Sequence, residues 1–100
     1  MTGKELLSDV RNYLDITFED AETDKKLCGI IERGMAYLND MAGEKQDYEN
    51  EGRARALLFD YCRYARNHCL ELFEKNFRSE LIALQIGEKT DEYAEQQGYI

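Results

Sequence analysis

The residues richest in chemistry lie in "DYCRYARNHCLELFEKNF", Asp60 to Phe77, which brings Cys62, His68 and Cys69 within about two helical turns. Two thiols and an imidazole are soft ligands, so a metal or redox site is the first reading to test. A helix turns about 100° and rises about 1.5 Å per residue, which puts Cys62 and Cys69 on nearly one line, about 10 Å apart along the axis. A disulfide needs Cα atoms within roughly 7 Å, and one zinc ion needs both sulfurs at about 2.3 Å. A continuous helix meets neither demand. His68 points about a quarter turn away from Cys69, toward Tyr61 and Tyr64. Even with Cys28 recruited, no second histidine or close cysteine pair completes a shell. The cysteines read as small core residues and His68 as a boundary residue, with no metal and no cofactor expected.

Other chemistry is as sparse. Gly29, Gly34 and Gly52 are isolated, so no glycine-rich loop cradles a phosphate. His68 stands alone, without a serine–acid or cysteine partner in a catalytic pattern. The paired acids Glu19–Asp20 and Glu49–Glu51 fall in predicted turns, where carboxylates cap or are solvated. No catalytic residue is expected, and the chain does not read as an enzyme.

The elements that carry these residues are helical. The chain lacks proline, and its apolar residues recur at spacings of three and four. "TGKE" offers Thr2 as N-cap and Glu5 three residues on, opening a short helix with Leu6, Leu7, Val10, Tyr13 and Leu14 mostly on one side. "DITFED" breaks that pattern with turn and cap formers. A second, amphipathic helix is predicted from about Asp20 to Ala42, its apolar stripe running through Leu27, Ile31 and Leu38. Gly34 sits in that stripe, where it costs roughly 1 kcal/mol relative to alanine, and a close neighbouring helix is the expected compensation. Gly43 is placed to end the helix in a left-handed cap. After the polar connection "GEKQDYENEG", the longest helix is predicted over about Glu51 to Lys75. "NFRSELIALQI" either continues it or, after a break near Asn76, forms a short fourth helix. The expected fold class is all-α: a small bundle of a short N-terminal, an amphipathic middle and a long central helix, with a short C-terminal helix or extension. Residues 1–86 read as one domain and residues 87–100 as a polar tail or arm.

On the long helix, Ala54, Leu58, Tyr61, Cys62, Ala65, Cys69 and Leu72 share one apolar arc, while Phe59, Leu70 and Phe73 lie outside it, flanked by Arg55 and Arg66. A helix apolar over so much of its girth is usually buried on several sides. Either the rest of the chain covers it, or Phe59, Leu70 and Phe73, with Arg55 and Arg66, form a subunit interface.

Charge narrows the function classes. The chain has 21 Asp and Glu against 13 Lys and Arg, a net charge of −8. Duplex affinity rests on neutralised phosphates, and no basic run supplies them here. No apolar run approaches the roughly 20 residues that span a bilayer, so no membrane partner is expected. The start "MTGKELLSDVRNYL" lacks a signal-peptide core, and three irregularly spaced cysteines fit reduced thiols, so a cytoplasmic setting is expected.

Two long stretches carry a family resemblance. "LLSDVRNYLDITFEDAETDKKLCGIIERGMAYLNDMAG" and "EGRARALLFDYCRYARNHCLELFEKNFRSELIALQI" resemble the small head–tail connector proteins of tailed bacteriophages and prophages, over roughly Lys4 to Ile86. The most specific parts are "YLDITFED" and "ARALLFDYCRYARN" followed by "FRSELIALQI". The resemblance implies a virion protein that assembles as a ring under the portal, extends the DNA channel and joins the next connector or tail-completion protein. It implies as partners the portal protein, that downstream component and further copies of the chain, with DNA passing through without sequence-specific binding. The location it implies is the head–tail interface of the virion, reached from the bacterial cytoplasm. An acidic channel wall suits such a role because like charge suppresses phosphate binding. The channel-facing candidates are Glu44, Asp47, Glu49 and Glu51, together with the C-terminal tail. An alternative for the same composition is an acidic regulatory module of a mobile element that sequesters a protein partner. A ring former shows higher oligomers or portal binding, whereas a sequestering module forms a one-to-one complex.

Overall fold

The computed structural model describes residues 2–96, and side chains through residue 87. It is all-helical, in the order α1 (Gly3–Tyr13), α2 (Ala21–Ala42), α3 (Arg53–Arg66), α4 (Leu70–Asn76) and α5 (Arg78–Gln96). Among the described residues, no helix is long and apolar enough to cross a membrane.

Thr2 caps α1 as its sequence requires, its Oγ1 accepting from the Glu5 N–H at 3.3 Å. Gly3 was not singled out by the sequence reading, yet it is buried, and a Cβ there would come within 2.6 Å of the Cys28 carbonyl oxygen. That contact fixes how closely α1 lies on α2. Asp20 caps α2 by accepting from the Glu22 N–H, and Gly43 ends it at φ 81°, the left-handed cap expected. Gly34 is buried, and a Cβ there would meet Leu58 Cδ1 at 2.7 Å and Tyr61 Cδ1 at 2.8 Å. The close helix approach expected at Gly34 is therefore made by α3.

The long central helix is not continuous. After Arg66 the Cys69 N–H bonds back to the Tyr64 carbonyl at 3.0 Å and the His68 N–H to the Ala65 carbonyl at 3.1 Å, with His68 at φ 57°. That is a Schellman stop with histidine in the position glycine usually takes. The same device ends α1: the Ile16 N–H reaches the Arg11 carbonyl at 2.9 Å, the Asp15 N–H reaches Asn12 at 3.2 Å, and Asp15 has φ 58°. Asp and His are among the few side chains that enter this region with modest strain.

The bend at His68 decides how the core closes. It turns α4 so that Phe73 folds onto Tyr37, Tyr61 and Tyr64, with ring centroids 5.6 to 6.3 Å away, and stacks on Phe77 at 5.1 Å. Leu6, Val10, Leu27, Ile31, Leu38, Leu57, Leu58, Cys62 and Leu81 belong to the same buried core. The chain breaks again at Phe77, between α4 and α5, beside the residue where a break was considered. Helix α5 is longer than the short segment expected: it packs on α2 and α3 and runs to Gln96, through much of the stretch read as a tail. Residues 97–100 of that tail lie outside the described residues.

Candidate interaction surfaces

The opening constellation comes apart in three dimensions. Cys62 is fully buried in the core, and burial pushes its thiol up to about 12. Such a thiol stays protonated and is a poor nucleophile and ligand. Cys69 is half-buried at the start of α4 and gives its thiol to the Tyr64 carbonyl at 3.5 Å. His68 is exposed at the bend, where its backbone ends a helix. Cys28 is half-buried on α2, its thiol raised by burial and then by Glu32 and Asp24. Among the described residues, no group of three His, Cys, Asp or Glu side chains could hold a metal ion.

Two of the expected interface residues are enclosed within the chain. Phe73 is 2% exposed and Phe59 is 9% exposed. Phe59 lies under the Arg55 guanidinium, whose Cζ is 4.5 Å from the ring centroid, and beside Tyr13 at 5.5 Å. This corrects the projection onto one straight helix: the bend at His68 gives Phe73 an aromatic cluster of its own, and α1 covers Phe59. Arg55 is likewise internal. It donates to the Tyr48 carbonyl at 2.8 Å and pairs with Asp9 at 3.0 Å, holding α3 against the connection and α1. Leu70 remains 38% exposed and Arg66 is exposed.

The connection between α2 and α3 is tighter than a polar loop requires. Tyr48 is 3% exposed, its hydroxyl 2.7 Å from Asn39 Oδ1 and 3.1 Å from the Met35 carbonyl oxygen. Burial pushes that hydroxyl up to about 12. Asp47 accepts from the Asn50 side chain at 2.9 Å, from the Asn50 N–H at 3.2 Å and from the Glu49 N–H at 2.9 Å, and these bonds hold its carboxyl below the usual range. Pinned by Tyr48, the segment presents Glu44, Asp47, Glu49 and Glu51 to solvent. Glu51 is 92% exposed even while pairing with Arg55 at 3.5 Å.

The other exposed large apolar side chains are Leu72 (44%), Ile82 (44%) and Ile86 (51%) on α4 and α5, with Phe18 (52%) before α2 and Tyr13 (44%) on α1. Coverage of the central helix by the rest of the chain was one of the two expectations, and "SELIALQI" contributes to it in part. Leu81 does so, at 3% exposure, but Ile82 beside it points outward. The missed signal is that Leu81, Ile82, Leu84 and Ile86 spread over more of a helix than one buried stripe uses.

A second surface opens at the other end of α2. A groove of about 620 Å³ runs between α2 and the bend after α3, with Gly29, Ile30, Ala65 and Leu70 along it and Lys25, Lys26 and Arg33 at its sides. His68 and Glu22 also border it. Among the described residues, Lys25, Lys26 and Arg33 make no ion pair, which leaves a cationic hollow on a strongly acidic chain. No family model, no curated protein and no solved structure matches this chain.

Proposed function

We propose that the chain is a structural virion component, a head–tail connector that docks as a ring beneath the portal and joins the head to the next connector or tail component. The observation carrying this reading is the apolar surface of α4 and α5: Leu72, Ile82 and Ile86 stay about half exposed although the chain closes a core without them. Large apolar residues left outside a closed core are what an assembly surface needs. The sequence likeness between Lys4 and Ile86 supplies the kind of assembly. A ring needs one surface to meet a different one on the neighbouring copy, and α5 and the groove beside α2 are two such surfaces.

In this reading the acidic connection faces the channel. Glu44, Asp47, Glu49 and Glu51 are exposed on a segment anchored by Tyr48, so their charge is held in place. DNA phosphates passing such a wall meet repulsion and find no counter-ions to exchange. The work is done by shape and charge; no reacting group takes part. Co-expression with the portal protein of the same genome, followed by native mass spectrometry and electron microscopy of the particles, tests the proposal. Portal particles carrying a closed ring of this chain support it. A chain that ignores portal and instead forms a one-to-one complex with a regulatory protein overturns it in favour of a sequestering module.

A further inference from the structure

We infer that the cationic groove beside α2 receives α5 of a second copy of this chain, so that copies join head to tail. The inference deepens the ring reading and rests on it for closure, but the contact itself is argued from the two surfaces.

The groove calls for an acidic, partly apolar helix. Its floor is Ile30 and Ala65, both half-buried, with Leu70 38% exposed at one end. The Arg33 guanidinium reaches back over Gly29, 3.2 Å from where a Cβ would stand. Lys25, Lys26 and Arg33 stand around this apolar strip, and Glu22 is the acid that borders it. An apolar strip framed by lysine and arginine matches a helix with exposed aliphatic residues and surplus carboxylates.

Helix α5 has that chemistry. Ile82 and Ile86, one turn apart, are about half exposed. Beyond them α5 contains Glu88, Asp91, Glu92 and Glu95, against Lys89. The helix does not run toward the groove of its own chain. Arg78 and Ile82 lie beside Met41, and Ala83, Leu84 and Gly87 lie beside Ala42 and Gly52, at the far end of α2 from the groove. As far as Gly87 the course of α5 thus leads away from Lys25 and Arg33, so the groove it can reach is that of another copy. Groove and helix are different surfaces, so pairing them is heterologous and repeats until the rotation closes.

Two full-length variants test the contact by sedimentation velocity across a concentration series. One carries Lys25→Glu with Arg33→Glu and keeps α5 intact; the other carries Ile82→Asp with Ile86→Asp and keeps the groove intact. The unaltered chain is expected to grow beyond dimers as concentration rises, and less so in high salt. Each variant alone is expected to associate at least about thirtyfold more weakly, the scale of losing one anchoring residue. Mixed together, they should form a one-to-one pair that grows no further, because only one productive groove and one productive helix remain. The milder Arg33→Gln and Ile86→Gln should give the same pattern in weaker form, and circular dichroism should show native helix in every variant. A monomeric unaltered chain at all concentrations overturns the inference, as does a variant that assembles normally or a mixture that stays monomeric. Portal binding by the groove variant separates the two claims: retained docking with undiminished self-association overturns the contact and leaves the connector reading standing, whereas lost docking by the unaltered chain overturns the connector reading.

Discussion

Helix α2 and the stretch from α3 through α4 are nearly equal in length and both rich in apolar residues, yet one is a single rod and the other is broken. The rod tolerates a buried glycine because Leu58 and Tyr61 fill the space that its missing side chain leaves. The broken segment contains no glycine or proline between Arg53 and Asn76, and it stops at His68 in a left-handed conformation. Continuity is therefore decided by packing. Bending at His68 brings Phe73 into contact with Tyr37, Tyr61 and Tyr64, a set of rings that a straight helix could not gather on one side. The gain from burying those rings exceeds the roughly 1–2 kcal/mol that a non-glycine residue costs in this region.

Substitutions at Phe73, Gly34 and His68, and alkaline titration, probe that difference. Removing the reason for the bend has the largest effect: Phe73→Ala should cost about 3–5 kcal/mol in urea unfolding, because it empties the centre of the aromatic cluster. A loss under about 1 kcal/mol would mean the bend has another cause. Filling the rod at its close approach comes next. Gly34→Val adds atoms where Leu58 and Tyr61 already sit at contact distance, and should destabilise by about 1–3 kcal/mol despite valine's better helix propensity. Relieving the strained stop is smaller and of opposite sign. His68→Gly should stabilise by about 1 kcal/mol, read as a rise in thermal midpoint, while His68→Val should lower it.

The smallest effect near neutrality is alkaline. The Cys62 thiol has its pKa raised from 9.0 to about 12 in the folded chain, and the Tyr48 hydroxyl from 10.0 to about 12. Both groups hold their protons more tightly when folded, so their contribution is complete below pH 9 and declines as pH climbs toward 12. Thermal midpoints measured across that window should fall, and Cys62→Ala should remove the earlier part of the decline.

Much of the rod was legible because its signals are local. Asp20, Gly34 and Gly43 each announce a cap or a close approach by residue type and position, as Thr2 does for α1, and each does what its type implies. The broken segment was not legible because its stop is built from backbone bonds around an ordinary histidine, and its benefit appears only once Phe73 meets residues far away in sequence. Asn67 beside His68 was the available hint, as both tolerate left-handed backbone. The candidate surfaces followed the same divide. Leu70 and the acidic connection lie exposed, whereas Phe59 and Phe73, left open between a covered face and an interface on a straight helix, are buried. Ile82 and Ile86 were assigned to no surface, because which face of "SELIALQI" packs depends on α2 and α3, and α5 buries Leu81. Tyr48 was missed inside a polar run, where a single aromatic residue fixes the whole connection.

The central claim is that the exposed apolar side chains of α4 and α5 exist to be covered by other subunits. Side-chain footprinting of Leu72, Ile82 and Ile86, in the free chain and in particles co-assembled with portal, measures that directly. The account predicts strong labelling in the free chain and loss of labelling at Ile82 and Ile86 on assembly, with Phe73 protected in both states. Equal labelling of Ile82 and Ile86 before and after assembly would contradict it.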